Sequence, residues 1–270
     1  MKDITEAPFF MEIMRITANM YRMGWDERNA GNISLLLTEE EAGEYLDIEN
    51  TIKTFNTGFD AKALAGKIFL VTGTGKFFRN IEYNPHENLG IVRISQDGRL
   101  ARLLWGFQGG ASPTSEFSVH LMCHIARLAE NSENKIIMHA HPSNLTAMTF
   151  VHSIDESEFT RTLWRLCIEG ILVFYEGIAV LPWMLCGTNE IAEATAKKMK
   201  DFRLVVWAQH GVFGSGNSID EAFGLIETAE KAAEIYIKTM NMPLLNIPSR
   251  EQIAALAEKW HVNYRKDWLK

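Results

Sequence analysis

Apolar side chains recur at three- to four-residue intervals over residues 5–24, where Phe9, Ile13, Ile16 and Met20 fall in register with Trp25 just beyond. That spacing predicts an amphipathic helix. A polar turn, Asp26 to Asn32, precedes a short strand over 33–37. Residues 38–64 are acidic and irregular and read as surface helix and loop. The run 68–71 is continuously apolar, as a buried strand is, and ends in Thr72-Gly73-Thr74-Gly75-Lys76. Segments 91–94 and 101–105 flank Gln96-Asp97-Gly98, a hairpin signal. A helix is expected over 114–130, beginning near Glu116, and then a strand over 135–139. Helices follow at 156–168, 188–200, 220–240 and 249–260. Strands are expected at 172–174 and 178–181, around Glu176-Gly177, and at 203–208.

Strands and helices alternate irregularly, and at least one hairpin interrupts them. This favours an α/β fold with a mixed or antiparallel sheet covered by helices over a purely parallel one. The chain has 270 residues, 47% hydrophobic and 23% charged, enough for one substantial core. No repeat, low-complexity stretch or linker divides it, so a single domain over 1–270 is expected.

A net charge of -7 without a basic stripe argues against nucleic-acid binding. Cys123, Cys167 and Cys186 form an odd, scattered set with no CxxC pair. They make a poor disulfide framework and point to a reducing cytoplasm. The polar start Met1-Lys2-Asp3 lacks the pattern of a signal peptide, and no apolar run is long enough to span a bilayer, so no membrane association is expected.

The chemistry concentrates in a few polar residues at strand ends. His139 and His141, two apart on a strand, face the same side and can reach one ion. The plain alternative is one hydrogen-bonded core histidine and one loop histidine. His210 follows a second apolar strand and precedes Gly211 in what reads as a small-residue loop. Three neutral imidazoles suit a divalent metal such as zinc and leave a position for a substrate oxygen. Glu116 is either a carboxylate that carries protons beside that metal or a first-turn glutamate offsetting the helix dipole. His120 and His124 share its helical face and read as packing or supporting groups.

Three turns offer hydroxyls and backbone N–H groups: Asn29 to Asn32, Thr74-Gly75, and Thr114-Ser115. Each alone is an ordinary turn or helix start. Together, beside a candidate metal site, they suggest a small phosphorylated substrate. Gly73 to Lys76 is no Walker loop, since it lacks the upstream glycine and Phe77 follows the lysine. No HExxH or GxSxG motif occurs. Lys76 and Lys135 have no context that marks a Schiff-base lysine.

These motifs match a known pattern. Residues 24–32, 71–80, Pro113 to Glu116, His139-Ala140-His141, 181–184 and 210–216 together resemble the class II aldolase/adducin family. The resemblance implies a three-layer α/β fold with a central mixed, largely antiparallel sheet between helices. It implies a homotetramer with one zinc ion per subunit on His139, His141 and His210. Glu116 would be the acid/base, acting on a small phosphorylated sugar. Asn29, Asn32, Thr74, Gly75, Thr114 and Ser115 would line the substrate and phosphate pocket, Thr74 keeping the hydroxyl of the family's serine. Glu169 would be a second catalytic glutamate, reaching a neighbouring subunit's site. Region 38–66 carries no part of the likeness. Epimerase, dehydratase, aldolase on another sugar phosphate, adducin-like binding module, Schiff-base aldolase and barrel metallohydrolase stay open as alternatives.

Overall fold

The computed structural model describes residues 2–270. Among the described residues nine strands form one sheet: β1 Asn32–Leu37, β2 Lys53–Asn56, β3 Ile68–Thr72, β4 Leu89–Ile94, β5 Leu100–Gly106, β6 Ile136–Ala140, β7 Ala179–Leu181, β8 Leu204–Trp207 and β9 Gly211–Gly216. Ten α-helices accompany them among the described residues: α1 Pro8–Met23, α2 Glu39–Gly43, α3 Pro85–Asn88, α4 Phe117–Glu130, α5 Ser143–Val151, α6 Glu156–Leu166, α7 Gly170–Val173, α8 Asn189–Met199, α9 Ile219–Thr239 and α10 Arg250–Lys259. The strand order is β2-β5-β4-β3-β1-β6-β9-β8-β7. Every pair is antiparallel except β7–β8. The sheet is therefore mixed and largely antiparallel, as the irregular alternation of elements suggests.

Strand alternation splits the core into two layers. Ile33, Leu35 and Leu37 of β1 and Ile136, Met138 and Ala140 of β6 join the side chains of α1, α5, α6, α9 and α10 on one face. Ile137, Val205, Trp207 and Phe213 pack with α4 and α8 on the other. The polar residues of the central strands, Asn32, Ser34 and His139, also point to the α4 face, and all three are buried there.

Three expectations need correction. Residues 172 and 173 end a helical turn, α7, with Phe174 as its C-cap, and do not form a strand; a short apolar run does not reveal its period. The segment after His210 is strand β9, not a loop. Its glycines let α9 approach: a Cβ at Gly214 would meet Ile226 at 3.0 Å, and one at Gly216 would meet the Ala222 nitrogen at 2.8 Å. Within 38–64, the short helix α2 begins in a capping box between Thr38 and Glu41, but β2 adds an edge strand paired with β5. Its residues are mostly exposed, so no period-two pattern marks it.

Candidate metal centre

His139 is the fourth residue of β6, and His141 lies just past its end. Antiparallel pairing sets Asn32 opposite His139 on one side and Phe213 opposite it on the other. His210 sits in the tight turn between β8 and β9. Gln209, at φ 60°, turns the chain there. Thr149 on α5 holds it: Gln209 N–H donates to Thr149 Oγ1 at 2.9 Å, and Gln209 Nε2 to Thr149 O at 3.1 Å. The start of α5 is itself clamped by Glu230 on α9, which accepts from Asn144 N at 3.0 Å and Leu145 N at 2.7 Å. One helix thus steadies the turns that follow His141 and precede His210. Gly211 closes the arrangement, since a Cβ there would lie 2.4 Å from Ala140 O and 2.7 Å from His141 Cδ2.

The ligand atoms of His139, His141 and His210 all lie within 4.8 Å of one another. His139 Nδ1–H donates to Val212 O at 3.1 Å, and His141 Nδ1–H donates to Glu27 Oε1 at 2.8 Å. In neutral rings both Nε2 atoms then carry lone pairs, and they face each other at 3.1 Å. Two lone pairs so close repel unless a cation lies between them. Tetrahedral zinc ligation at about 2.0–2.1 Å sets ligand nitrogens roughly 3.3 Å apart, near the separation here. The outer partners Val212 O and Glu27 are of the kind that fix tautomers of metal-binding histidines. Phe213 stacks on His139 with centroids 4.3 Å apart, and Trp207 borders both His139 and His210. Burial, with His141 and His210 nearby, holds His139 well below its ordinary pKa. Burial and then His141 push His210 down to about 4. Both rings are neutral at pH 7, as metal ligands must be. The donor set therefore fits a divalent cation.

Glu116 occupies the N-cap position of α4, but its side chain makes no cap bond. Instead it turns inward, 6% exposed, with Oε2 3.6 Å from His139 Nε2. Asn32 Nδ2 donates to the same oxygen at 2.9 Å. Burial raises the Glu116 pKa above the ordinary carboxylate value, against the opposing pull of the Asn32 donor and of His141.

The three candidate substrate turns converge at this end of the sheet. Thr74 N–H donates to Ser112 O and Thr114 N–H to Thr72 O, each at 2.9 Å, and Gly73 bridges Pro113. That short ladder brings Thr74-Gly75 beside Thr114-Ser115-Glu116. Pairing of β1 with β3 and β6 adds the turn Asn29 to Asn32. Asn29, Thr74, Gly75 and Ser115 are exposed, whereas Asn32 and Thr114 are buried. Gly75 has φ 66° and open space where a Cβ would be.

Residues 11–237 match the family of class II aldolase and adducin N-terminal domains. The chain belongs to the class II aldolase and adducin family. It is 52% identical to the rhamnulose-1-phosphate aldolase of Listeria monocytogenes, covering 99% of this chain and 98% of that protein. It is 54% identical to that of Enterococcus faecalis, covering 87% and 84%. Among solved structures it is similar to a sugar-phosphate aldolase from Thermotoga maritima, with TM-score 0.73 and 28% identity, covering 88% of this chain and 99% of that one.

Class II aldolases depend on a metal, and the three-histidine cluster of this family member is where its residues could hold one. Glu169 stands apart from that cluster. It is exposed, at the N-cap of α7, and α7 touches α6, α9 and α10. Lys135, considered above for Schiff-base chemistry, precedes β6 at the end away from His139 and lies 3.6 Å from Glu41. Sequence reasoning did not single out Glu27, Ser34 or Thr149. Ser34 left one trace, a hydroxyl between Ile33 and Leu35 in a buried strand. Among the described residues, no helix is long and apolar enough to cross a membrane.

Proposed function

We propose that this chain is a zinc-dependent aldolase that reversibly cleaves L-rhamnulose 1-phosphate to dihydroxyacetone phosphate and L-lactaldehyde. The observation that carries the reading is the convergence of three imidazole ligands with the buried Glu116 carboxylate, 3.6 Å from His139. The substrate follows from similarity to rhamnulose-1-phosphate aldolases over nearly the whole chain.

Breaking the carbon–carbon bond turns the departing carbinol into an aldehyde, its hydroxyl proton passing to solvent, and leaves an enediolate on the phosphate-bearing fragment. Zinc held by His139, His141 and His210 would supply Lewis acidity where that negative charge develops. Glu116 protonates the enediolate carbon in the cleavage direction and removes the same proton in the aldol direction. Asn32 keeps the carboxylate aimed by donating to Oε2. Phe213 and Trp207 exclude water from one side of the cluster. Asn29, Thr74, Gly75, Thr114 and Ser115 bind the phosphate and the sugar hydroxyls, fixing which bond meets Glu116. Glu169 acts in the site of a neighbouring copy, where it orients the aldehyde fragment. The protein works in the cytoplasm as a homotetramer with one zinc per subunit.

The test is dihydroxyacetone phosphate release from L-rhamnulose 1-phosphate, with L-fuculose 1-phosphate alongside, before and after chelation and zinc return. Selective cleavage of the rhamnulose ester, lost with chelator and restored by zinc, is the expected result. Fully metallated protein that cleaves neither ester is no aldolase for these sugars, and an epimerase or dehydratase reading replaces this one.

A further inference from the structure

Behind Glu116 lies a line of buried polar side chains, of which the reaction above uses only Asn32. Asn32 and Ser34, two apart on β1, face His120 and His124, four apart on α4. Ser34, His120 and His124 are each 0% exposed. Ser34 Oγ lies 2.7 Å from His120 Nδ1 and 2.8 Å from His124 Nε2, while His120 Nε2 meets Asn32 Oδ1.

The direction of every bond in this line follows from its first member. Asn32 presents its NH2 to the Glu116 carboxylate, so its Oδ1 must accept. His120 then carries its proton on Nε2, and its Nδ1 must accept. The Ser34 hydroxyl donates to that Nδ1, and its oxygen accepts from His124 Nε2–H. The line ends at His124 Nδ1, a buried atom with no partner. That end is a lone pair, which costs less to leave unmet than a buried N–H would. Turning the Asn32 amide over would reverse every bond and leave an N–H stranded at His124.

We propose that His120, Ser34 and His124 are positioning residues for the acid/base: their hydrogen bonds lock the Asn32 amide with its NH2 toward Glu116 Oε2. The proposal rests on the reading of Glu116 as the proton carrier. Burial drives His120 and His124 each to a pKa of about 3, which keeps both rings neutral, as the line requires. His120 also packs edge-on against Phe213, with centroids 5.7 Å apart, and Phe213 stacks on His139. The same imidazole therefore braces both the carboxylate and the wall of the metal cluster.

Two measurements test this. The first is nitrogen NMR of 15N-histidine-labelled metallated wild-type protein, assigned with His120→Gln and His124→Gln. Both rings are expected as the Nε2–H tautomer at neutral pH; an Nδ1–H tautomer at His120 overturns the proposal without any assay. The second is steady-state kinetics of Ser34→Ala, His120→Leu and His120→Gln at full metal content. Glutamine keeps an N–H donor near the position of Nε2, and leucine does not. Ser34→Ala and His120→Leu are expected to lose about 10-fold or more in kcat, the size of a hydrogen bond to a charged group, with KM within about 2-fold. His120→Gln is expected to recover most of that kcat. Wild-type kcat in the leucine and alanine variants, or equal loss in leucine and glutamine, overturns the positioning role. Wild-type protein without cleavage activity would instead remove the aldolase reading, while the tautomers still decide the hydrogen-bond line.

Discussion

His141 donates its Nδ1 proton to Glu27 Oε1 at 2.8 Å. This one bond fixes both the tautomer and the ring orientation of a candidate ligand, from a side chain that is itself largely exposed. Glu27→Ala should therefore leave the fold intact and weaken metal binding by about 10- to 100-fold, the usual effect of removing such a partner. Competition against a chromogenic chelator measures it. Unchanged affinity would mean that the bond does not shape the site.

Removing a ligand should do more. His210→Ala is expected to lose most of its bound metal, read by elemental analysis after gel filtration. Stoichiometric zinc in that variant would show that the third ligand lies elsewhere.

Glu116→Gln keeps the shape of the carboxylate and can still face Asn32, but it has no proton to exchange at pH 7. Turnover should be abolished while metal content stays near wild type. Full activity would exclude Glu116 as the acid/base.

Gly211→Ala tests the packing of the two histidine-bearing segments. The new Cβ would lie 2.4 Å from Ala140 O and 2.7 Å from His141 Cδ2, neither of which is a flexible chain end. The β9 strand must move away, carrying His210 with it. A fall in metal affinity of at least about 10-fold is expected. A crystal structure of the variant with the cluster undisturbed would contradict this.

Acid should destabilise the metal-free protein through His120 and His124. Each has a folded pKa of about 3 against an ordinary 6.5. Between those values the unfolded chain binds protons that the folded protein does not, so stability is full above pH 6.5 and falls as pH drops below it. Each ring should contribute a slope of about 1.4 kcal/mol per pH unit. Urea unfolding between pH 7.5 and 4.5 measures it, and a flat profile would refute it.

The sheet was legible where burial left a pattern. Its central strands are apolar runs ending in polar turns, and the edge strand β2 went unseen because its exposed residues carry none. His139 and His141 were legible because a strand repeats every second residue. The helical spacing of Glu116, His120 and His124 revealed a shared face. What that face meets, Asn32 and Ser34, depends on β1 lying under α4, and no spacing in the chain encodes a pairing across more than eighty residues. Glycine hid β9 for a related reason: Gly214 and Gly216 serve the closeness of α9, a need that exists only in three dimensions.

The position of β9 also bears on how the chain is made. On the ribosome β6 emerges first, and can pair with β1, already synthesised, along one side. Its other side waits for Gly211–Gly216, some seventy residues later. Through that interval Ile136 to Ala140 offers a bare, apolar strand edge, the kind that joins a second chain. Until His210 arrives just ahead of β9, His139 and His141 lack the third histidine of the cluster, so the stretch that covers the β6 edge also completes the ligand set.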